Sequence, residues 1–239
     1  MFHASVVDFR LLFNLFYFAE RFCYRSGMEV LPATPDNIKR AAMVLKAGGV
    51  IAHPADTCFG LAGDLMNPRV FKKIMEIKDR DPVNPMSIML PVVAKIELEQ
   101  YGLLTDFTRE IADKLLPGPV TLLLPKGPRI PEWYFPETDL IGIRIPYDTF
   151  TQDLLIAFKA PLITTSANLS DGPLCHTHRE VLEAFRSNKV KPDLVFEGHL
   201  DKNPASTVIL PQKNKVKITR PGAITAKRLE GILGVPVVE

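Results

Sequence analysis

Five stretches of this chain set hydroxyl, carboxylate or cationic side chains directly beside apolar runs. PADTCFGL (54–61) follows the apolar run VIAHP (50–54) with a turn that carries hydroxyl and carboxylate groups. KDRDPVNP (78–85) brackets a loop with Lys78 and Arg80. Arginine donates in a fixed planar fork and lysine acts as a point charge, so cations on a loop beside buried strand ends suit phosphate. IRIP (143–146) plants Arg144 in an otherwise apolar strand. A guanidinium there needs an anionic partner, either an internal carboxylate such as Asp148 or Asp139 or a bound ligand. TTSAN (164–168) ends a strand with neutral donors, and ITRPG (218–222) ends another with Arg220. In open α/β sheets, ligands collect at such strand ends.

Each stretch taken alone also has a purely structural reading. Lys78, Asp79, Arg80 and Asp81 suit a solvated charge cluster closing a helix, where cations complement the dipole. Ser166 and Asn168 suit caps for a turn, and Arg220-Pro221-Gly222 suits an ordinary turn. His53 and Cys58, at the end of a strand, read first as core residues.

Other signatures are missing. The chain contains neither GxxxxGK(S/T) nor GxGxxG, so a P-loop and a dinucleotide fold are both unsupported, and no HExxH occurs. His176 and His178 flank a helix start without a third ligand in view, which predicts no metal site. Ser166 sits in TSAN rather than a GxSxG elbow, which argues against a serine hydrolase.

The elements that must position these residues alternate in type. Thr34-Pro35 opens a helix whose apolar face is Ile38, Ala41, Ala42 and Leu45, stopped by Gly48-Gly49. Asn67-Pro68 opens a second, and further helices are predicted over 105–116, 149–158, 177–185 and 226–233. Strands are predicted over 50–54, 87–90, 120–124, 141–145, 162–166, 193–198, 206–210 and 215–219. Strands alternating with helices, then following one another, imply an α/β (mixed α+β) fold: a twisted mixed sheet with helices packed on it. Without an internal repeat or low-complexity linker, residues 28–239 read as a single domain.

The 239 residues carry 29 Lys+Arg against 27 Asp+Glu, a net charge of +2, so no chain-wide field announces a nucleic-acid binder. Three widely spaced cysteines without a CxxC pair fit a reducing compartment, and a cytoplasmic location is expected. Residues 1–27 include the aromatic run FRLLFNLFYF (9–18), too short and too interrupted by Arg10 and Asn14 for a membrane span. They read as a non-native N-terminal extension from a misassigned start, with a short surface-anchoring helix as the rival.

The order of the polar stretches resembles the YrdC/Sua5 family of threonylcarbamoyl-AMP synthases. That pattern runs PTxTxYGL, KxRPxxNP, PGPxT, RxP, SAN, GSTV, RPG; here it looks like PADTCFGL, KDRDPVNP, LPGPVTLLL, IGIRIP, TTSANLS, ASTVIL and TRPGAIT. The resemblance covers most of 34–225 and is similar to the short, single-domain form. It implies a YrdC-like fold and an ATP-using nucleotidyltransferase. Threonine's amine captures bicarbonate or CO2 as a carbamate, which displaces pyrophosphate from ATP to give threonylcarbamoyl-AMP. A partner transferase complex then moves the group to adenosine 37 of tRNA (the t6A modification).

By matched position the resemblance implies catalytic roles for Lys78 and Arg80, and ATP contacts from Arg80, Asn84, Ser166, Asn168 and Arg220. It implies threonine contacts from Thr57, Arg144, Thr164 and Ser206. The implied substrates are ATP with Mg²⁺, L-threonine and bicarbonate, without a tightly bound cofactor, without a membrane, and with tRNA met only indirectly.

Ala55 replaces the pattern's first threonine and Phe59 its tyrosine; Asp81 stands where proline is usual, and Met89 where histidine is frequent. The altered groups belong mainly to the amino-acid side, so a YciO-like member with a different substrate is one alternative. Another is an RNA-binding or ribosome-maturation factor, with weak RNA binding through Lys213, Lys215, Lys217 and Arg220. A carbamoyl-transfer module like that of hydrogenase-maturation proteins is disfavoured, because the accompanying zinc-finger and acylphosphatase-like segments are missing.

Overall fold

The computed structural model describes residues 27–79 and 85–239. Its helices begin where the capping residues say they should. Thr34 is extended and its hydroxyl accepts from the Asn37 amide at 3.3 Å, which opens α1 (Pro35–Lys46). Asn67 does the same for α2 (Pro68–Lys78), accepting from Arg69 at 3.0 Å. Thr105 heads a capping box on α3 (Asp106–Leu115), Asp148 caps α4 (Thr149–Phe158), and Thr177 heads a capping box on α5 (His178–Ala184). Thr225 caps α6 (Ala226–Leu233). Each cap satisfies an amide that has no partner inside its helix.

The strands are β1 (Glu29–Leu31), β2 (Ile51–His53), β3 (Gly60–Asp64), β4 (Ser87–Met89), β5 (Val120–Pro125), β6 (Leu140–Arg144), β7 (Leu162–Ser166), β8 (Leu194–Phe196), β9 (Thr207–Gln212), β10 (Lys215–Arg220) and β11 (Val237–Val238). They form one sheet in the order β1-β8-β2-β3-β7-β4-β6-β5-β9-β10-β11. Pairs β1/β8, β2/β8, β4/β6, β5/β9 and β10/β11 are parallel. Pairs β2/β3, β3/β7, β4/β7, β5/β6 and β9/β10 are antiparallel. The sheet is therefore mixed, as the order of elements implies.

The period-two pleat divides the strand residues between two cores. Ile51, Ala62, Met89, Leu162 and Leu194 face α1 and α4, meeting Ile38, Ala41, Leu45, Leu154, Leu155 and Phe158. Ala52, Leu61, Ile88, Ile163 and Val195 face the larger core on the other side, with Ile74 and Ile77 of α2, Ile111 of α3 and Leu229 of α6. Burying one Leu or Ile side chain contributes about 1.5–3 kcal/mol, so both faces must stay covered. Met89, the residue standing where the resembled pattern often has histidine, belongs to this packing: it is buried in the smaller core.

Four elements differ from the sequence-based expectation: β1, β3, a 3-10 segment and the short β11. Residues 60–64, GLAGD, pair as β3 although they contain no β-branched or aromatic residue. The pairing is imposed from outside, by β2 on one side and β7 on the other. Residues Val92–Gln100 form a 3-10 segment, and Glu29–Leu31 adds an edge strand beside β8. The loop between β5 and β6 is anchored by an aromatic cluster of Phe71, Trp133, Tyr134 and Phe135 with ring centroids 5.0–5.9 Å apart. Buried Tyr134 donates its hydroxyl to the Met86 carbonyl at 3.1 Å, which fixes the entry into β4.

Candidate active site

A cavity of about 110 Å³ opens where the central strands end. Its wall includes Ala55, Thr57, Cys58 and Gly60 from the first polar stretch, Ser87 from β4, Thr121 from β5 and Arg144 from β6. Thr164, Thr165 and Ser166 from β7, with Phe59, Pro85, Met86, Ala205, Ser206 and Arg220, complete it. Strand register explains the convergence. Ser87 pairs with both Thr164 and Gly142, and Gly60 pairs with Ser166 two residues further along β7, so hydroxyl groups of β4 and β7 arrive at the same end of the sheet. A β-carbon on Gly142 would stand 2.6 Å from the Ser87 hydroxyl, so glycine leaves that group its place.

Arg220 reaches the cavity through a backbone clip. Its Nη2 donates to the Ser206 carbonyl at 2.8 Å and to the Ser206 hydroxyl at 3.0 Å, and that hydroxyl lies 2.8 Å from the Thr121 hydroxyl. The Ala223 amide donates to the Ala205 carbonyl at 2.9 Å, holding the RPG turn over residues 205–207. A β-carbon at Gly222 would lie 2.3 Å from the Ala205 carbonyl oxygen and 2.6 Å from the Thr207 nitrogen. The glycine of the RPG stretch is thus required by close backbone approach, not by an ordinary solvent turn.

Arg144 is held by charge. Its Nη2 donates to Asp56 Oδ1, and the Asp56 side chain is fully buried while that of Arg144 is 11% exposed. The internal partner is therefore Asp56, not Asp148 or Asp139 as the sequence suggested. An 88-residue separation hid it, because the turn after β2 folds back against the end of β6. Burial pushes the Asp56 carboxyl above its ordinary value, and the Arg144 guanidinium opposes this. Asp148 nonetheless belongs to the same neighbourhood and raises Asp56 further.

Among the described residues, the buried atoms Asp56 Oδ2, Arg144 Nε, His53 Nε2, Asp148 Oδ2 and Thr151 Oγ1 have no hydrogen-bond partner. His53 lies in the core, stacked on Phe150, with Nδ1 2.8 Å from the Pro54 carbonyl. Burial lowers its pKa. Cys58, expected in the core, is nearly buried yet borders the cavity, and burial raises its thiol.

The structure brings together Thr57, Arg144, Thr164, Ser166, Ser206 and Arg220 among the site residues named from the sequence. Lys78 and Asn168 stand behind the wall instead. Lys78 is 2% exposed, so it is not part of a solvated charge cluster. Its Nζ donates to the Ser166 carbonyl and the Asn168 carbonyl, both at 2.7 Å, and lies 3.3 Å from Asn168 Oδ1. The Asn168 amide nitrogen in turn donates to the Gly172 carbonyl at 2.6 Å, so this side chain shapes its own turn. Arg80 and Asn84 lie outside the described residues.

Sequence reasoning missed Asp56, Ser87 and Thr121. Asp56 left a signal as the carboxylate inside the first polar stretch and Thr121 as the threonine of the PGPxT match, whereas Ser87 left none. Among the described residues no group of three or more His, Cys, Asp or Glu side chains gathers. The His176 Nε2 lies 2.9 Å from the Asn203 carbonyl, and the His178 Nδ1 lies 3.2 Å from that of Gly198. Lys213, Lys215 and Lys217 are exposed around the β9–β10 turn, with Val216 buried between the last two and Ile218 buried after them. No helix among the described residues is long and apolar enough to cross a membrane.

A mixed sheet whose strand ends gather two arginines and several hydroxyl groups around one hollow defines a site for a small anionic substrate. The chain belongs to the Sua5/YciO/YrdC family, whose model, described as telomere recombination, matches residues 43–222. It is 34% identical over 183 residues to a putative threonylcarbamoyl-AMP synthase of Methanocaldococcus jannaschii, covering 76% of this chain and 84% of that one. It is 37% identical over 140 residues to threonylcarbamoyl-AMP synthase of Homo sapiens, covering 56% of this chain and 47% of the human protein.

Among solved structures, Sua5 of P. abyssi complexed with L-threonine is similar, with a TM-score of 0.77 at 24% identity, over 89% of this chain and 62% of Sua5. YciO of E. coli gives a TM-score of 0.73 at 20% identity, over 86% of this chain and all of YciO. The chain therefore spans less than two thirds of the Sua5 structure, and these two likenesses speak to the fold.

Proposed function

We propose that this chain is a threonylcarbamoyl-AMP synthase: it uses L-threonine, bicarbonate or CO2, and ATP to make threonylcarbamoyl-adenylate and pyrophosphate for tRNA modification. The observation that carries this reading is the meeting of Arg144, Ser166, Ser206 and Arg220, from four separate stretches, around one cavity. The relatives named threonylcarbamoyl-AMP synthase support the reaction class.

In this reading Arg144 receives the amino acid's carboxylate, helped by Thr57, Thr164 and Ser206. A fork of donors matches a carboxylate, and Asp56 keeps the fork from swinging. Ser166 and Arg220 take the nucleotide, together with Arg80 and Asn84 by their positions in the family pattern. The hollow of about 110 Å³ is small beside the roughly 300 Å³ or more of sites that enclose a drug-sized ligand. It suits the amino acid and the reacting phosphate, with the nucleoside extending past the mouth.

The chemistry is one in-line displacement. A carbamate oxygen bonds to the α-phosphorus while the bond to the bridging oxygen of the β-phosphate breaks, and pyrophosphate leaves with the electron pair. Negative charge spreads over the phosphoryl oxygens, where placed cations and the Mg²⁺ that arrives on ATP stabilise it. Because a carbamate hydrolyses readily, a largely enclosed cavity favours the coupled reaction. Residues 28–239 form the catalytic domain in this reading, acting in the cytoplasm and handing the product to a transferase complex that meets tRNA.

One observation favours a second reading for the substrate: Ala55 and Phe59, which each lack a hydroxyl of the family pattern, both border the cavity. A different amino acid is the alternative. The test is pyrophosphate release from ATP, with each amino acid offered in turn and the adenylated product weighed by mass spectrometry. Release that requires threonine and bicarbonate supports the first reading. Release with another amino acid supports the second, and ATP binding without any adenylate would overturn both.

A further inference from the structure

We infer that Lys78 is a positioning residue: its buried ammonium locks the turn at residues 166–168, so that Ser166 is presented to the nucleotide, and it does not itself touch phosphate. The geometry is that of a staple between two elements. Lys78 is the last residue of α2, and its side chain runs to the end of β7, 88 residues away in sequence. There the ammonium meets two backbone carbonyls at 2.7 Å and the Asn168 side-chain oxygen at 3.3 Å. The contact is reciprocal, since the Ser170 amide donates to the Lys78 carbonyl at 3.1 Å. Further along the same helix end, Asn188 donates to the Ile77 carbonyl at 2.7 Å.

Three oxygens aimed at one point repel each other unless a donor stands between them. An ammonium offers three donors from one compact charge, a number that no neutral side chain of that length supplies. A buried cation is costly without partners, which is reason enough for the chain to place acceptors there. The consequence falls on the wall. Residues 164–166 face the cavity, and the turn that ends them is fixed by Lys78 on one side and by the Ala167 amide donating to the Phe59 carbonyl at 2.8 Å on the other. Losing the staple lets this stretch of wall shift, and a displacement of about 1 Å at a site can cost up to about 100-fold in function.

This inference rests on reading the cavity as a nucleotide site, and its test separates the two. Lys78→Met keeps the length and removes the donors. Kd is measured for adenosine, AMP and ATP at a temperature where circular dichroism shows the variant folded. A positioning role predicts that AMP and ATP weaken about tenfold in Lys78→Met, while adenosine changes little, and that Lys78→Met/Ser166→Ala binds them no worse than Ser166→Ala alone. Losses that multiply in the double variant would mean that Lys78 binds phosphate itself, and unchanged affinities would mean that the staple is merely structural; either overturns the inference. If wild type binds none of the three, the proposed function fails instead.

Acylation of the free wild-type protein with acetic anhydride, read by mass spectrometry, stands even if the variant does not fold. A stapled Lys78 stays unmodified with and without ATP while surface lysines react. Modification of Lys78 in the free protein, with or without protection by ATP, overturns the inference.

Discussion

The two flanks of the cavity are held by different kinds of bond. On the Arg220 flank, residues 205–207 and 220–223 are clipped by backbone contacts: Arg220 donates to the Ser206 carbonyl, the Ala223 amide donates to Ala205, and Gly222 lets the two chains touch. On the Arg144 flank, position is set by one buried ion pair with Asp56, surrounded by atoms of His53, Asp148 and Thr151 that lack partners among the described residues. The close approach at Gly222 is sensitive to added volume, whereas the ion pair is sensitive to loss of charge. Of the two departures from the family pattern, Ala55 adjoins Asp56 on the flank held by charge, whereas the Phe59 carbonyl holds the Ala167 amide at the turn after β7.

That contrast can be broken by substitution. The largest effect is expected from Asp56→Ala, which leaves the guanidinium of Arg144 buried without its carboxylate; urea denaturation should show a loss of about 3–5 kcal/mol. The double variant Asp56→Ala/Arg144→Met should recover part of it, and a loss below about 1 kcal/mol in the single variant would deny that charge holds this flank. Next comes Gly222→Ala on the clipped flank. A methyl driven into the backbone of 205–207 should cost about 1–3 kcal/mol and weaken ATP binding as the Arg220 clip opens.

Gly60→Ala separates space from stability. The added methyl meets only ordinary contacts of 3.5–3.8 Å with Thr165, Thr164 and His53, so the melting curve should move by no more than about 0.5 kcal/mol in stability. Because Gly60 borders the cavity, kcat/KM should still fall about tenfold. A neutral outcome in both would place the reacting groups elsewhere.

The smallest effect is a pH slope. Burial holds the folded pKa of His53 below 6.5, so as pH falls the unfolded chain takes the proton first. Stability is therefore full above pH 6.5 and is lost as pH falls from there through the lowered folded value. Asp56, shifted upward from 3.8, acts with the opposite sign: its contribution is present below 3.8 and fades as pH rises through the folded value. Comparing wild type with His53→Gln at each pH cancels the Asp56 part. The melting temperature of wild type should fall more steeply below pH 6.5 than that of the variant; parallel curves would mean that His53 is not held neutral.

What could be read from the sequence was local. Thr34, Asn67, Thr105 and Thr177 mark helix starts because a cap and its amide lie within three residues of each other. Strands rich in Val, Ile and Leu were equally plain, and their ends pointed to Thr164, Ser166 and Arg220. What could not be read was long-range. GLAGD becomes β3 only because β2 and β7 flank it. The Arg144–Asp56 pair spans 88 residues, and the staple from Lys78 to the Ser166 carbonyl spans another 88. A cation at a helix C-terminus looks solvent-bound in sequence, and only the packing of α2 against β3 and the reach of its last side chain to the end of β7 reveal that Lys78 is buried.

The most direct test of the shared cavity is a crystal structure with L-threonine and a non-hydrolysable ATP analogue bound together. The amino acid's carboxylate should lie within hydrogen-bonding reach of Arg144, with the triphosphate beside Ser166 and Arg220. A nucleotide on another face of the sheet, or a carboxylate turned away from Arg144, would contradict the proposal.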